Sequence, residues 1–486
     1  MDLAAALHPA DLTAARHPIT VTLGPDRREI LAQGRDFLTK VLGDDRAVYG
    51  STTGFGALVG YAGRADLRDQ ADNTLAHLGA GQGPDLDPAL VRATLLVRAR
   101  SLAQGASGVS PHVVDALIAM LGTTFAPAVP RYGSVGASGD LIPLGAAAQA
   151  LRGHGYANVD GVRMPAAQAL DQAGLTKLPL DGRDALALVN GTSLTTAALS
   201  LAVTRTRAAH RAMQDLTCLL ADLLGCDPQF LDDRLIRRYA HPGAVTVADG
   251  MRATLTGCTP TTKRPLQEPY SIRCSPQLLG AAEDALRYID GVVDADLAGV
   301  SDNPLFFPGD DTVVHGGNFF GQPAAFAADL LTGVEAQIGN LAERQLDLLV
   351  DPNRNGGLPP MLAAGPGRQH GLQGVQLAST ALIAEIRRDA MPAGMQSLPT
   401  NLHNQDVVPF GTQAALRALD QTALLRLLCG SLALGLRQAV HVGARRPTAG
   451  GTSALLADLE QIAPVDPDRP LEQDVRTAAA ICCDRY

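Results

Sequence analysis

The chain has 486 residues, of which 46% are apolar and 18% charged, and its formal net charge is −9. That length holds two or more domain-sized cores, and the composition is that of a globular chain rather than a disordered one. The negative balance leaves no basic field to replace counterions, which excludes an electrostatically driven nucleic-acid partner.

Aromatic residues make up 4% and tryptophan is absent. Ala and Leu dominate, so a helix-rich chain with aliphatic cores is expected. The seven cysteines are unpatterned and show no metal spacing. They read as reduced thiols, and a cytoplasmic location without a metal site is expected. The N-terminal run MDLAAALHPADL has neither a basic n-region nor a long apolar h-region, so it does not read as a signal peptide.

In chain order, a short β piece is expected at residues 19–23. Helices follow at 66–78, at 88–104 with Asp87 as cap and Pro88 in the first turn, and at 110–120, where Ser110 and Pro111 repeat that device. A second β piece is expected at 158–164. Residues 185–204 are uncharged and reach membrane length, but Asn190, Thr192, Ser193, Thr195 and Thr196 favour a buried helix and no membrane contact. Further on the pattern is long and helical. In residues 327–350, Leu331, Val334, Ile338, Leu341 and Leu348 share one face. Residues 373–388 look alike, as do 409–440, with Pro409 in a first turn and an uncharged stretch at 427–436 that should be buried on most sides. Residues 445–452 read as a loop before a last helical piece. The expected organisation is a loop-rich N-terminal domain over residues 1–200 and a bundle of long, roughly antiparallel helices over 201–486.

The chemistry concentrates in Gly136-Ala137-Ser138-Gly139-Asp140. No Lys follows the glycines, so this is not a phosphate loop. A serine-hydrolase elbow needs a glycine where Asp140 stands. A plain loop is one reading. Another is backbone cyclisation. In a tight bend the Gly139 nitrogen can attack the Ala137 carbonyl carbon, and glycine has no Cβ to block it. Loss of one water closes a five-membered ring. Loss of the Ser138 hydroxyl as a second water leaves an exocyclic methylene, an electrophile made from backbone.

Residues 133–144, GSVGASGDLIPL, resemble the motif of the ammonia-lyases that use 4-methylidene-imidazol-5-one (MIO). That family holds the histidine, phenylalanine and tyrosine ammonia-lyases and the related 2,3-aminomutases. The resemblance extends, in order, through YGSTTGFG at 49–56, LVNGT at 188–192, QEPYSIRC at 267–274, SDNP at 301–304, GGNF at 316–319 and NQD at 404–406. It implies a mainly α fold of the ammonia-lyase/fumarase-like superfamily. It also implies an MIO formed from Ala137, Ser138 and Gly139 with no external cofactor, and a homotetramer whose sites draw on more than one chain.

Ammonia elimination needs an electrophile for the amine and a strong base for the β-proton. Tyr49 is similar to the family's catalytic tyrosine, basic enough as a phenolate if donors or positive charge lower its pKa; a core or turn tyrosine is the alternative. Arg273 suits a bidentate clamp on the substrate carboxylate, and Tyr270, three residues before it, shares its face if the segment is helical. The resemblance puts Asn190 at the MIO oxygen, Asn303 at the carboxylate, Phe319 near the MIO or substrate, and Gln267 in the site with a less defined role. Asp140 either assists ring closure or caps the helix from Leu141 onward.

Substrate choice falls on His77-Leu78, a pair that resembles the tyrosine lyases; Ser-His is the histidine-lyase form and Phe-Leu the phenylalanine-lyase form. A buried para-hydroxyl needs a partner, and an imidazole supplies one. A histidine that caps its own helix end is the competing reading. Gln405 stands where histidine lyases have Glu, which disfavours histidine. The expected partner is thus a small aromatic amino acid, and the expected reaction is L-tyrosine to p-coumarate and ammonia. The alternatives are a tyrosine 2,3-aminomutase giving β-tyrosine, or a phenylalanine or histidine ammonia-lyase. The chain departs from the family pattern at Pro409-Phe410, where Ser-Leu is frequent, and at Ala244, where Gln is frequent.

Overall fold

The computed structural model describes residues 1–486. The fold is mainly α, and its strands form only two- and three-stranded pieces. The chain divides into two compact units. One gathers residues 1–201, 290–329 and 392–416; the other gathers 202–289, 330–391 and 417–486.

In the first unit the capping signals place the helices. Asp66 accepts the Arg68 and Asp69 amides and starts Leu67–His77; Asp87 accepts the Ala89 amide and starts Pro88–Leu102. Helix Leu67–His77 packs on Gly182–Val189, which packs on Leu141–Leu151. This stacking brings His77 at one helix end, Asp140 at a helix start and Asn190 at a third helix end to one region.

Four expectations are corrected here. Residues 19–23 form no strand; Thr22 makes a single bridge to Asp2, because the run is bounded by Pro18 and Gly24-Pro25 and meets only the chain's first residues. Residues 158–164 are not one piece but the inner part of the hairpin Tyr156–Val159/Val162–Pro165. Asp160 and Gly161, with φ of 51° and 79°, make its turn. The uncharged run 185–204 is buried as expected but is two helices, Gly182–Val189 and Ser193–Leu224, broken at residues 190–192. The helix expected to open at Pro409 opens at Gly411 instead. Phe410 takes φ 51° and gives its amide to the Val135 carbonyl, so the chain cannot yet be helical there.

The second unit is built of long helices. Leu331, Val334, Ile338, Leu341 and Leu348 of Gln322–Val350 are all buried, as their spacing predicts. Gln345 ties this helix to two others through the Thr217 hydroxyl and the Ser271 carbonyl, at 2.9 and 2.8 Å. Gly411–His441 is long and apolar enough to cross a membrane, yet 72% of its most apolar window is buried inside the protein. Residues 445–452 are not wholly loop, since helix Gly450–Leu459 starts within them; the Asp222 carboxylate accepts the Thr448 and Ala449 amides, both at 2.9 Å, and the Thr452 hydroxyl at 2.7 Å.

Candidate active site

A cavity of about 580 Å³ lies in the first unit, with Tyr49, His77, Leu78, Ser138, Gly139, Asn190, Phe319 and Gln405 on its wall.

Ser138 sits at the apex of a tight bend. Gly136 and Gly139 have φ of 71° and 70°, and Gly139 bridges back to both Gly136 and Ala137. A Cβ at Gly139 would collide with the Gly191 backbone, so only glycine fits. The bend is fixed on both sides. The Asp140 amide donates to the Gly191 carbonyl at 2.7 Å, and the Gly136 amide donates to Ser134 Oγ at 3.1 Å. On the cavity side Gln405 Nε2 donates to Ser138 Oγ at 2.7 Å.

Asp140 does not cap its own helix. Its Oδ2 accepts the Leu194 and Thr195 amides, both at 2.9 Å, in the first turn of Ser193–Leu224. Its Oδ1 accepts hydroxyls from Ser134, Thr195 and Thr412 at 3.0, 3.0 and 2.7 Å. Burial pushes this carboxyl above its ordinary range, and the Thr195 amide and the hydroxyls pull it back. The arrangement ties the cyclisable bend to the start of a long helix.

Tyr49 lies in a turn stapled by threonines: the Val48 amide donates to Thr52 Oγ1 at 2.9 Å and the Gly50 amide to Thr53 Oγ1 at 3.1 Å. Its hydroxyl oxygen accepts the Gly56 amide at 2.8 Å. Burial raises its phenol above the ordinary range, and the Gly56 amide works in the opposite direction. Its ring meets Phe55 edge-on, centroids 6.1 Å apart, and Phe55 stacks on His77 at 6.0 Å.

His77 Nδ1 lies 3.1 Å from the Asn73 carbonyl oxygen. A carbonyl only accepts, so Nδ1 carries a proton, and Nε2 of the neutral ring is left as an acceptor. Leu78 beside it is buried. Asn190 Nδ2 donates to the Asn303 carbonyl at 3.0 Å, while its Oδ1 is buried without a partner on the cavity wall.

Not every expected residue lies here. Asn303 does not line the cavity; its Oδ1 accepts the Gly316 amide at 2.8 Å. Gln267, Tyr270 and Arg273 belong to the second unit and do not line the cavity either. Tyr270–Arg273 is one helical turn, with the Arg273 guanidinium 4.5 Å from the Tyr270 ring centre; Tyr270 is 71% exposed, and Arg273 Nε is buried without a partner.

Sequence reasoning missed the support behind Asn190. Arg98, fully buried, donates to the Ala187 and Ser301 carbonyls at 2.8 and 2.7 Å. Arg183 pairs with buried Asp302 and donates to the Ser107 carbonyl at 2.6 Å. Burial is the main cause that brings the Arg98 guanidinium down to about 10. The available signal was three arginines, Arg92, Arg98 and Arg100, inside the largely apolar helix Pro88–Leu102. Asn401 on the cavity wall was also missed.

A model of aromatic amino acid lyases matches residues 7–461. Among curated relatives, the histidine ammonia-lyase of Symbiobacterium thermophilum is 36% identical, covering 97% of this chain and 94% of its own length. The tyrosine ammonia-lyase of Cereibacter sphaeroides is 37% identical, covering 94% and 92%. Among solved structures, the tyrosine aminomutase from Streptomyces globisporus superposes with a TM-score of 0.93 at 29% identity, covering 99% of this chain and 96% of that one. The Ala-Ser-Gly bend, the cavity it faces and these matches along nearly the whole chain lead to one conclusion: the chain belongs to the aromatic amino acid lyase family and is a carbon–nitrogen lyase.

Proposed function

We propose that the protein removes ammonia from L-tyrosine to give p-coumarate, with an MIO formed from Ala137, Ser138 and Gly139. The residues fit that group. The bend is tight and glycine-dependent at Gly139, and Asn190, whose amide carries N–H donors, lines the same cavity. When formed, the MIO supplies an electrophile that turns the substrate amine into a better leaving group.

The chain's own residues do the rest. Tyr49 takes the β-proton, with the Gly56 amide steadying its phenolate. His77 Nε2 accepts a hydrogen bond from the substrate's phenolic O–H, and Leu78 and Phe319 cover the ring. Asn190 keeps one N–H beside the Asn303 carbonyl bond and directs it to oxygen in the site. Arg273 clamps the carboxylate and Tyr270 stands near the amine, both brought by a second copy of the chain in a homotetramer. The exposed Tyr270 and the unpartnered Arg273 Nε support that arrangement.

The observation that carries the choice of tyrosine is the acceptor left on His77 by the Asn73 carbonyl. Identities of 36% and 37% to histidine and tyrosine lyases do not separate the substrates, so the reading rests on the cavity wall. Gln405 carries no charge to offer an imidazolium. A tyrosine aminomutase is the second reading, favoured by the TM-score of 0.93 to such an enzyme. Separate incubation with L-tyrosine, L-phenylalanine and L-histidine, resolving arylacrylates from β-amino acids, tests both. p-Coumarate is expected as the main product. β-Tyrosine would replace lyase by mutase, and urocanate alone would end the ring argument. An intact mass short of two waters is expected independently.

A further inference from the structure

The turn at residues 400–405 joins two parts of the cavity wall. Its ends are tied: the Thr400 amide donates to the Gln405 carbonyl at 3.0 Å, and the Gln405 amide returns the bond at 3.3 Å. Between them Asn401, Leu402 and His403 all take positive φ, of 55°, 54° and 63°. Three successive non-glycine residues in that region are costly, and such a turn persists only where its surroundings hold it. At one end Gln405 Nε2 reaches Ser138 Oγ at 2.7 Å. At the other end the Asn401 side chain lies on the Tyr49 loop.

That second contact is specific. Asn401 Oδ1 accepts the Ala57 amide at 3.4 Å. Asn401 Nδ2 occupies the space that a Cβ at Gly56 would need, so the contact requires glycine there. Gly56, with φ 53°, is the residue whose amide donates to the Tyr49 hydroxyl. Beyond it Leu58, Val59 and Tyr61 are exposed, so the interior of the protein anchors this stretch weakly.

We propose that Asn401 is a positioning residue for Tyr49: its amide seats Gly56 and Ala57 so that the Gly56 N–H stays aimed at the Tyr49 hydroxyl. The 400–405 turn then acts on the base from its Asn401 end; the Gln405–Ser138 Oγ bond at its other end belongs to the chain before the Ser138 hydroxyl is lost. The proposal rests on Tyr49 being the base. The titratable groups facing Tyr49 are His315, whose Nε2 accepts the Tyr49 amide at 3.2 Å, and His77 across Phe55; Arg183 acts on His315. Neither histidine bonds the Tyr49 hydroxyl, whose bond is to the Gly56 amide, so a shift on the phenol's own limb reports that amide.

The test uses Asn401→Gly, which keeps the left-handed backbone without strain and removes the amide, and Gly56→Ala, which pushes Asn401 aside. In both, kcat is expected to fall on the order of 10-fold to 100-fold with KM little changed. The limb of the pH–kcat profile that reports phenolate formation is expected at higher pH, because a loosened N–H no longer favours the charged form. The intact mass should stay short of two waters, and the melting temperature of Asn401→Gly should match that of the parent. Wild-type kcat and an unmoved limb in Asn401→Gly would overturn the proposal. So would a loss confined to KM, which would make Asn401 a substrate contact, or a mass that regains the waters. Tyr49→Phe separates the underlying reading: full activity in that variant would remove the base itself, whatever Asn401 does.

Discussion

At the scale of single residues, two aspartates show how environment sets cost. Asp140 and Asp296 both lie in the first unit, and both carboxyls are raised by burial. Asp140 is surrounded by two amides and three hydroxyls. Asp296 accepts the Thr196 hydroxyl at 3.3 Å, and its carboxyl is pushed up to about 6. A folded value above the unfolded one means the folded chain holds the proton more tightly. Stability is therefore present below about 4, falls as pH rises to about 6, and stays flat beyond. Asp296→Asn keeps the shape and removes the charge. It is expected to raise the unfolding free energy by roughly 3 kcal/mol at neutral pH and to change little in acid below the unfolded pKa. Denaturant titrations at the two pH values check this, and an equal effect at both would clear the carboxyl of the cost.

At the scale of elements, a recurring device explains what the sequence shows and what it hides. Asp66 and Asp87 cap the helices that follow them, so Leu67–His77 and Pro88–Leu102 could be read from local spacing within two residues. Other helix starts are capped from far away. Asp140 serves Ser193–Leu224, Asp184 takes the Ser110 amide at 2.8 Å before Pro111–Leu121, and Asp222 serves Gly450–Leu459. A distant cap leaves no local pattern, which is why the break at residues 190–192 and the early start at Gly450 escaped notice. The Asp160-Gly161 turn was legible and was overlooked. Of the residues expected in the site, Tyr49, His77, Ser138, Asn190, Phe319 and Gln405 line the cavity, and each belongs to a short motif that can be read locally. Arg98 was not legible that way, because its meaning lies in carbonyls of two other segments. Those carbonyls hold the end of Gly182–Val189 against the 301–303 segment and so aim Asn190. Replacing Arg98 by Leu leaves them unpaired and Asp302 with Arg183 alone. The expected loss is about 3–5 kcal/mol of stability, read by thermal unfolding. Activity in the surviving folded fraction should also fall as Asn190 loses its backing. A variant of unchanged melting temperature and activity would mean that Arg183 suffices.

At the scale of the whole molecule, the chemistry is divided. The proposed base Tyr49, the cyclisable bend and His77, proposed to read the ring, line a cavity within one unit, while the carboxylate clamp expected at Arg273 belongs to the other. Large apolar side chains such as Leu266, Tyr270, Met395 and Leu402 are exposed on the single chain, more than a monomer comfortably leaves in water. The proposed site completed by a second copy would account for both facts, and it can be tested by mixing defects. Tyr49→Phe and Arg273→Ala chains should each be nearly inactive alone. If Tyr49 and Arg273 of one site come from different copies, chains unfolded together, mixed equally and reassembled at random will join an intact Tyr49 to an intact Arg273 in about a quarter of the sites. Activity should then return toward that fraction of wild type, and dilution that dissociates the assembly should remove it again. If both residues of a site come from one copy, every site in the mixture keeps a defect and no activity returns. Recovery thus reads the assembly of the site directly, without reference to which amino acid it prefers.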